Sequence, residues 1–266
     1  MKKNILITGA SSGIGFITAR YLEDQGHRVI GTCRNPPEPP IGMNLLKMDI
    51  TDDISVKKAC NEAIEQLGNI DVLINNAGYG IYGSVEEMPM EHTLKQLNTN
   101  YLGTVRVTRE LLPHFRQNGG GTILNISSIG GLMGLPFQSQ YSAGKFALEG
   151  FTEALRFEVR PFGIRVYNIN PGDFHTGFTK NRQIFQQENS LYKSAFNHFL
   201  KMYEHDENNG CDPILVAKLA EKIISSDREP AIRYTVGKKE QTLSLIMKRI
   251  LGDRLFEKIL VRFWKA

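Results

Sequence analysis

The sequence predicts an α/β fold in which one parallel sheet carries helices on both of its faces. Two observations predict it. Short apolar runs alternate with longer segments of helical spacing, and a glycine-rich turn directly follows the first apolar run. We expect a single domain over residues 1–266, because this length suits one α/β domain and no linker rich in Gly, Ser or Pro divides it.

Six apolar runs predict the strands of this sheet. They are NILIT (4–8), RVIGT (28–32), NLLKM (44–48), DVLIN (71–75), TILNI (122–126) and RVYNI (165–169). Each run is short, as expected for strands that are buried on both sides of a parallel sheet. Because strands and helices alternate, the crossovers between parallel strands should be right-handed.

Helical spacing is clear in two of the segments between these strands. After the first run, Ile14, Ile17 and Tyr21 recur at i, i+3 and i+7. The apolar residues of the second helix, at i, i+3, i+4, i+7 and i+11, are Val56, Ala59, Cys60, Ala63 and Leu67. Gly26 and Gly68 stand where these two helices should end.

Two segments break the alternation. Residues 174–213 are rich in Phe, Gln, Asn, Tyr and Lys without a clear period, and an insertion of this length predicts a substrate lid. Residues 242–266 form a basic, amphipathic C-terminal tail. This tail is either a helix pair on a membrane surface or a helix pair packed on its own domain or on a partner subunit, and we favour the second interpretation.

The composition is that of an ordinary soluble globular protein, with 41% hydrophobic and 23% charged residues. A net charge of +4, without a basic stripe outside the tail, argues against nucleic-acid binding. Cys33, Cys60 and Cys211 are few and far apart, so we expect neither a disulfide framework nor a metal site. No run suits a signal peptide or a membrane span, and the expected location is the cytoplasm.

The turn after the first strand predicts a phosphate-binding site. Backbone N–H groups in such a turn approach a phosphate, and the N-terminus of the following helix favours its negative charge. The residues of LITGASSGIG expected to contact a dinucleotide are Gly9, Ser11, Ser12, Gly13, Ile14 and Gly15. The glycine spacing differs from the common Gly-x-Gly-x-x-Gly pattern, and a plain structural turn is the alternative.

A second stretch predicts the same ligand. The run DVLIN is followed by Asn76, Ala77 and Gly78. The carboxyl ends of parallel strands line the ligand crevice, and small residues there let a ribose or a flat ring lie against the backbone. A plain turn is again the alternative.

The residue after the second strand predicts which dinucleotide binds. The stretch GTCRNP carries Arg34 and no acidic residue. A guanidinium pairs with a ribose 2′-phosphate, which a carboxylate would repel, so we expect NADP in preference to NAD. A solvated surface arginine is the alternative. Asp49 and Ile50, after the third strand, are further candidate contacts, although Asp49 could instead begin the next helix.

Tyr141 and Lys145, four residues apart, predict acid–base chemistry. On a helix they share one face, so the ammonium can stand beside the phenol. We expect this cation to lower the pKa of the phenol from its ordinary value of about 10 toward neutrality. Ser128 precedes the pair in the strand-like stretch TILNISS. A half-buried core tyrosine and a serine that caps the strand are the alternatives.

TGASSGIG, NNAG, the set Ser128, Tyr141 and Lys145, and PGDFHT (171–176) together resemble the short-chain dehydrogenase/reductase family. The stretch SIGGLMGLPFQSQYSAGKFALEG looks like the branch of oestrogen-type 17β-hydroxysteroid dehydrogenases and some retinol dehydrogenases, except that Gly144 replaces a common Ser. The resemblance implies a Rossmann-type, doubly wound parallel sheet, a nicotinamide cofactor, and hydride transfer between an alcohol and a carbonyl.

The resemblance also implies roles for single residues. Tyr141 would transfer the proton, Lys145 would lower its pKa and hold the nicotinamide ribose, and Ser128 would position the substrate oxygen. Asn100, in LNTNYLGT, matches the fourth catalytic residue and would hold a water for proton exchange; satisfying a kink in its helix is the alternative. The residues implied to cover the nicotinamide are Pro171, Gly172 and Thr176.

The residues around the catalytic set predict a hydrophobic substrate. Those expected to line the pocket beside Ser128 and Tyr141 are Leu132, Met133, Leu135 and Phe137, with Phe174, Phe178 and Phe185 from the lid. A purely structural core is the alternative. The resemblance further implies a homodimer or homotetramer formed through the helices at roughly 91–115 and 141–160.

We therefore predict an NADP(H)-dependent oxidoreductase that interconverts a hydrophobic alcohol and its ketone or aldehyde. A catalytically silent, NADP(H)-binding regulatory protein is the alternative, which the complete set of Asn, Ser, Tyr and Lys disfavours. A sugar-nucleotide epimerase also uses a Tyr–Lys pair, but the glycine spacing and the lack of a separate sugar-binding domain argue against it.

Overall fold

A parallel sheet lies at the centre of the computed structural model, which describes residues 2–38, 42–177, 182–226 and 231–265. The described strands are β1 (Asn4–Thr8), β2 (Arg28–Cys33), β3 (Leu45–Lys47), β4 (Val72–Asn75), β5 (Ile81–Gly83), β6 (Gly121–Ile126), β7 (Ile164–Pro171), β8 (Gln183–Phe185) and β9 (Arg233–Val236). Seven of them form the central sheet in the order β3-β2-β1-β4-β6-β7-β9, and β5 pairs with β8 in a separate parallel ribbon.

Helices cover both faces of the sheet. Those described are α1 (Gly13–Asp24), α2 (Asp53–Leu67), α3 (Met90–Leu97), α4 (Gly103–Gln117), α5 (Ser139–Val159), α6 (Lys193–Asn208), α7 (Ile214–Ile224) and α8 (Lys239–Lys265). A π-helical turn, Asn98–Leu102, joins α3 to α4. Gly68 ends α2 with a φ of 78°, a conformation that glycine adopts without strain.

Side chains of the central strands alternate between two cores. Leu6, Leu73 and Ile123 pack with residues of α2, α4 and α5 on one face. Ile5 and Ile74 pack with residues of α1 and α7 on the other face. Because both faces of these strands are buried, their sequences are apolar throughout, which is the pattern that predicted them.

The strand order reverses at β1, and this reversal positions the functional site. β1 pairs with β2 on one side and with β4 on the other. The connections that follow β1 and β4 therefore leave the sheet in opposite directions, which opens a crevice at the carboxyl ends of these strands.

The predicted fold class is confirmed, and each of the six apolar runs contains a strand. The strands β5, β8 and β9 were not predicted. β5 and β8 have three residues each, too few to show a period. β9 lies at the edge of the sheet beside β7, where its side chains are only half-buried, so its sequence RYTV is not an apolar run.

The two irregular segments are partly ordered into regular elements. The lid contains β8 and α6, and a bridge pairs Phe174 with Cys211. Phe178, predicted as part of its wall, lies outside the described residues. In the tail, α8 consists of two helical segments that meet at Gly252, whose φ of 69° and ψ of 164° are not helical. Phe256, in the second segment, packs against Ile129 of the main domain. The favoured interpretation, that the tail packs on its own domain, therefore holds for this face of α8.

In the parts of the chain that the structure describes, no helix is both long enough and apolar enough to cross a membrane.

Candidate active site

The crevice at the carboxyl ends of the central strands is a cleft of about 1230 Å³. It extends from the glycine-rich turn after β1, past the ends of β4 and β6, to a chamber bordered by the lid and α8. The sequence-predicted catalytic, cofactor and substrate residues of the described chain line this cleft, with the exception of Gly15 and three residues of the predicted substrate wall.

Glycines in the turn after β1 leave no space for side chains. Gly9 has a φ of +67°, and an added Cβ would stand 2.7 Å from the Cα of Ala77. Asn76 holds this contact by donating hydrogen bonds from Nδ2 to the carbonyls of Thr8 (3.0 Å) and Gly9 (2.9 Å). Gly15 lies behind the turn, where a Cβ would collide with the Asn76 amide. Gly15 thus shapes the turn without lining the cleft, and the exposed backbone fits a dinucleotide phosphate.

The first turn of α1 is open toward the cleft. The helix begins at Gly13, and its N-cap residue Ser12 makes no side-chain hydrogen bond to the following N–H groups. Those groups therefore remain available to an anion, which the helix dipole also favours. Thr176 lies near this turn, since a Cβ added at Gly13 would be 3.8 Å from its Cβ. The segment after β7 consequently borders the phosphate end of the cleft.

Arg34 is exposed at the end of β2, where it lines the cleft beside Asp49. Burial raises the pKa of Asp49, but hydrogen bonds from Thr51 and the charge of Arg34 outweigh it and hold this pKa below its ordinary value. Thr51 donates to Asp49 Oδ1 from its backbone N (2.9 Å) and its hydroxyl (2.7 Å). Asp49 does not begin the next helix, because Asp52 caps α2. Ile50 also lines the cleft.

Tyr141, Lys145 and Ser128 meet in the middle of the cleft. The Nζ atom of Lys145 lies 5.8 Å from the centroid of the Tyr141 ring and donates to the carbonyl of Ile126 (2.7 Å). The Ser128 hydroxyl hydrogen-bonds with Tyr141 and accepts from the backbone N of Gly130 (3.0 Å). Ser128 therefore caps the turn after β6, as the structural alternative predicted, and contacts the phenol with the same hydroxyl.

The expectation that Lys145 lowers the pKa of Tyr141 is wrong in this structure. Burial raises the pKa of Tyr141 to about 12; the hydrogen bond from Ser128 opposes the rise, and the charges of Glu207 and Asp173 add to it. The ammonium lies over the ring and is engaged with a carbonyl, and burial lowers the pKa of Lys145 itself to about 8. The four-residue spacing predicted a shared helix face but could not predict this desolvation.

Asn100 lies in the π-helical turn between α3 and α4 and is almost completely buried. Its Nδ2 donates to the carbonyl of Tyr79 (2.9 Å), and its Oδ1 accepts from the backbone N of Tyr79 (3.0 Å). The side chain thus ties the turn after β4 to the irregular point of the helix. Its hydrogen bonds go to Tyr79 rather than to the backbone of its own helix, which the structural alternative had predicted as the partner. Its role in proton exchange stays a prediction.

Pro171 ends β7 at the cleft, and Gly172, the next residue, lies against α8. Gln241 of α8 accepts a hydrogen bond from the backbone N of Asp173 (3.2 Å) and donates to the carboxylate of the same residue. A Cβ added at Gly172 would collide with the Gln241 side chain. The N-terminal turn of α8 is therefore fastened to the segment that the family resemblance places over the nicotinamide.

The sequence interpretation missed a buried carboxylate on α5. Glu149, four residues after Lys145, accepts hydrogen bonds from Asn170 Nδ2 (2.6 Å) and Arg233 Nε (2.6 Å). Asn170 in turn donates to the carbonyl of Ser128 (3.1 Å). Glu149 therefore positions, through Asn170, the backbone that carries Ser128. Its continuation of the four-residue spacing of Tyr141 and Lys145 was the signal that could have found it.

Three further carboxylates line the chamber and were not predicted. They are Asp173, Asp206 and Glu207. Glu207 is already paired, because it accepts from the Tyr82 hydroxyl (2.9 Å) and from the guanidinium of Arg182 (3.2 Å). In the described residues, no group of His, Cys, Asp and Glu is arranged to hold a metal ion.

Asp173 differs from the other two acids because its hydrogen-bonding partner is the neutral amide of Gln241. Burial raises the pKa of Asp173 to about 6; the charges of Asp206 and Glu207 act in the same direction, and Gln241 and Lys238 oppose them. Lys238 lies 3.8 Å from Asp206. Asp206 and Glu207 thus each have a cation as a close partner, whereas the hydrogen-bond partner of Asp173 is a neutral amide.

The chamber wall also has a large apolar part. It consists of Ile129, Met133 and Leu135 from the turn after β6, Phe174 from the lid, and Leu243, Met247, Phe256, Ile259 and Leu260 from α8. Met133, Leu135 and Phe174 were predicted to line it. The contribution of α8 was not predicted, because the apolar residues of an amphipathic helix do not indicate which surface they contact.

Leu132, Phe137 and Phe185 do not line the cleft, so their assignment to the substrate wall is wrong. Phe137 adopts a φ of 59° and packs against Phe196 of α6, with ring centroids 5.4 Å apart. Phe185 packs against His92 with ring centroids 4.2 Å apart. These rings hold the lid to the domain, a use of aromatic residues that composition alone does not separate from substrate contact.

Comparison with known proteins assigns this arrangement to a family. A family model described as short chain dehydrogenase matches residues 3–187. A 3-ketodihydrosphingosine reductase of Bacteroides thetaiotaomicron is 45% identical over 98% of this chain and 97% of that protein. A 17-beta-hydroxysteroid dehydrogenase type 1 of Mus musculus is 33% identical over 86% of this chain and 72% of that protein.

Solved structures show the same architecture. A short-chain dehydrogenase from Streptomyces avermitilis matches with a TM-score of 0.82 and 30% identity, covering 97% of each chain. ElxO, solved with NADP bound, matches with a TM-score of 0.73 and 27% identity, covering 89% of this chain and 97% of its own. The similarity to the first of these structures extends beyond the family model, into the lid and α8.

Proposed function

Because the chain belongs to the short-chain dehydrogenase/reductase family, we propose that it reduces, with NADPH, long-chain ketones that carry an amino group beside the carbonyl. As a member of that family it is an oxidoreductase that acts on a CH–OH group or ketone with a nicotinamide cofactor. One observation carries the finer proposal: the chamber beside Tyr141 combines apolar wall residues with Asp173, a carboxylate whose hydrogen-bond partner is a neutral amide.

Tyr141 is proposed as the proton donor to the carbonyl oxygen. With a pKa raised to about 12 by burial, its phenol is protonated at neutral pH, which is the state that reduction requires. The alkoxide that forms is a stronger base than the phenolate and takes the proton readily. Ser128 would donate a hydrogen bond to the same oxygen as negative charge develops on it. A bound nicotinamide would supply the hydride.

Lys145 is proposed to stabilise the phenolate that remains after proton transfer. Its ammonium already lies over the Tyr141 ring, so the positive charge is close to the oxygen that becomes negative. Burial lowers the pKa of Lys145 to about 8, which brings its own proton within range of exchange near neutral pH. This proposal includes two further roles. Lys145 and Asn100 would return a proton to Tyr141, and Lys145 would also hydrogen-bond the nicotinamide ribose.

The substrate class follows from the chemistry of the chamber. The ketone in the name of the Bacteroides thetaiotaomicron relative is a long-chain base, with an ammonium group on the carbon next to the carbonyl. A hydrocarbon chain suits the wall formed by residues such as Met133 and Phe256, and an ammonium suits a carboxylate. We propose Asp173 as the carboxylate, because Glu207 is already paired with Arg182.

Arg34 is the residue that supports NADPH, rather than NADH, as the cofactor. It lies at the end of β2, next to Asp49, on the part of the cleft that follows the glycine-rich turn. A guanidinium there would pair with the 2′-phosphate in the two-pronged geometry that arginine favours.

The test is NADPH oxidation with three ketones: 3-ketodihydrosphingosine, the same chain without its amino group, and oestrone. We expect kcat/KM for the amino ketone to exceed that for the other two by about tenfold or more, the effect of one charge-assisted hydrogen bond. Tyr141→Phe should lower kcat by about 100-fold to 10,000-fold, because it removes the proton donor. NADPH affinity, measured by fluorescence titration, should stay within about twofold.

Each contrary outcome has a distinct meaning. A preference for oestrone would overturn the substrate class. NADPH binding without reduction of any of the three ketones would favour the silent regulatory protein. A Tyr141→Phe protein with unchanged kcat would overturn the assignment of the proton donor.

A further inference from the structure

The outer face of α8 exposes an unusual amount of apolar surface. Leu243, Ile246 and Ile250 recur at i, i+3 and i+7, so they share one side of the first half of the helix. Ile250 is 74% exposed and Ile246 is 51% exposed. Beyond Gly252, Leu255 continues the exposed apolar residues. Contiguous exposure of this kind marks an interaction surface more often than an ordinary solvated helix does.

Cations surround these apolar residues. The exposed basic residues of α8 are Lys239, Arg249, Arg254, Lys258 and Arg262. Among the described residues, Arg249, Arg254 and Lys258 form no ion pair that would neutralise them. Glu240, Asp253 and Glu257 are the acidic residues of the same range, so the outer face carries a net positive charge. A basic helix with exposed apolar residues is the pattern of a helix that lies in the interface of a bilayer.

Other side chains of both segments of α8 form part of the wall of the substrate chamber. Met247, Phe256 and Leu260 line the chamber, and Phe256 packs against Ile129 of the main domain. Leu243 belongs to both sets of side chains, because it lines the cleft and is still 55% exposed. The apolar chamber therefore opens beside the exposed apolar residues of α8.

We propose that the outer face of α8 docks the protein on an anionic phospholipid bilayer, from which a long-chain substrate enters the chamber beside Leu243. This inference deepens the proposed function, because a long-chain base resides in membranes and is scarcely soluble in water. The apolar side chains would enter the headgroup region, and the cations would pair with lipid phosphates.

The net positive charge of the outer face of α8 favours a bilayer, rather than a second copy of the chain, as the partner that covers this face. Two copies joined through this face by a two-fold axis would bring two surfaces of net positive charge against each other, each with five exposed cations and three exposed acidic residues. An anionic lipid surface complements the same charges and gains from each of them. The docking should therefore depend on the lipid charge and weaken with salt.

The experiment is cosedimentation of the full chain, without substrate, with vesicles of phosphatidylcholine alone or mixed with phosphatidylglycerol. We expect binding to the mixed vesicles only, with a loss at high salt. The triple variant Arg249→Gln, Arg254→Gln, Lys258→Gln should weaken binding by about fivefold for each cation removed. Ile246→Gln with Ile250→Gln should weaken it by about tenfold or more.

A matched control removes the same kinds of side chain from a different helix. Ile54, Lys57 and Lys58 are exposed on α2, and their joint replacement by Gln should leave vesicle binding within about twofold of the parent. Turnover of a short, water-soluble amino ketone should be unchanged in all these variants, because none of the replaced residues lines the cleft.

The outcomes separate this inference from the proposed function. A protein that reduces the soluble amino ketone but does not bind mixed vesicles overturns the docking proposal alone. A protein that binds vesicles but reduces no amino ketone overturns the proposed function alone. The docking proposal would also be overturned if the α2 control lost as much vesicle binding as the α8 variants. The same holds if the variant Ile246→Gln with Ile250→Gln bound vesicles as well as the parent but had a smaller particle mass, because the face would then join copies of the chain.

Discussion

The nucleotide end and the substrate end of the cleft are built in different ways. The nucleotide end is made of backbone from two short turns, at residues 9–15 and 75–78, in which Gly9 lies against Ala77. The substrate end is made of side chains from distant parts of the chain, such as Asp173 after β7, Glu207 on α6 and Phe256 on α8.

Because the two ends are built differently, they should tolerate different amino-acid substitutions. Phosphate is bound by backbone N–H groups, so the nucleotide end requires that side chains be absent where the turns meet. The substrate end selects its ligand with side chains, which can change without altering the sheet. Changes at the nucleotide end should thus impair the reaction with every substrate, whereas changes at the substrate end should alter selectivity.

The strongest test of this contrast is the same substitution at each end. Gly9→Ala places a Cβ 2.7 Å from the Cα of Ala77 at a positive φ, while Gly134→Ala, in the turn before α5, places one in open space. We expect Gly9→Ala to lower NADPH affinity by about 100-fold or more and the midpoint of thermal unfolding by roughly 5 to 15 °C. Gly134→Ala should shift neither quantity measurably in fluorescence titration or calorimetry. Similar effects of the two changes would refute the contrast.

Arg34→Ala sharpens the description of the nucleotide end, because it tests a side chain there. Loss of the guanidinium should lower kcat/KM with NADPH by roughly 10-fold to 100-fold, since a 2′-phosphate would lose its partner. With NADH, which lacks that phosphate, kcat/KM should stay within about twofold. A parallel decrease with both cofactors would show that Arg34 acts on structure rather than on cofactor choice.

Asp173→Asn tests the substrate end. The amide keeps the shape of the side chain and can still pair with Gln241, but it removes the charge. We expect kcat/KM for the amino ketone to fall by about tenfold, with little change for the ketone that lacks the amino group. A larger loss of kcat/KM for the amino ketone than for the other ketone would support a contact between Asp173 and the amino group. Equal losses of kcat/KM would assign Asp173 a structural role.

The pH profile examines the same carboxylate without a mutation. Because burial raises the pKa of Asp173 to about 6, this side chain is neutral below that pH and negatively charged above it. Among the groups around it, Asp206 and Glu207 favour the neutral form, and Lys238 favours the charged form. Attraction of an ammonium should therefore increase as the pH rises from 5 to 7, with a gain in kcat/KM of about tenfold. Asp173→Asn should flatten this rise, and a profile unchanged by the substitution would point to another group.

The smallest effect is expected at Gly144, on the helix shared by both ends. A Cβ there would stand 3.2 Å from Oε1 of Gln96, a buried amide without a hydrogen-bond partner in the described structure. Gly144→Ser should raise the unfolding free energy by about 0.5 to 1 kcal/mol, through helix propensity and a new hydrogen bond. Gly150→Ser, in an open position of the same helix, isolates the propensity contribution. An equal change in unfolding free energy for the two variants would show that Gln96 forms no stabilising hydrogen bond with the introduced serine.

The contrast between the two ends also explains what the sequence could predict. The glycine-rich turn and the pair Tyr141 and Lys145 are local patterns, so spacing was enough to find them. The substrate end depends on contacts between residues far apart in the chain, such as Asp173 with Gln241, which no local pattern records. Phe137 was assigned to the substrate wall for the same reason, since no local pattern records that it packs against Phe196 of the lid.

The pKa of Tyr141 was misjudged because a spacing reveals a neighbouring charge but not the loss of water. The cation of Lys145 was predicted on the correct face of α5, yet burial raises the pKa of the phenol. Glu149 could have been found, since it continues the same row of the helix, but a carboxylate buried between α5 and the sheet becomes interpretable only with its partners Asn170 and Arg233.

The contact of Gln241 with Gly172 and Asp173 has a consequence for folding during synthesis on the ribosome. β1 and α1 emerge from the ribosome well before α8, but a domain generally folds as a unit. A nascent chain should thus lack a complete substrate chamber until α8 has been synthesised. Selectivity arrives with α8, the same element that we propose rests on the lipid surface.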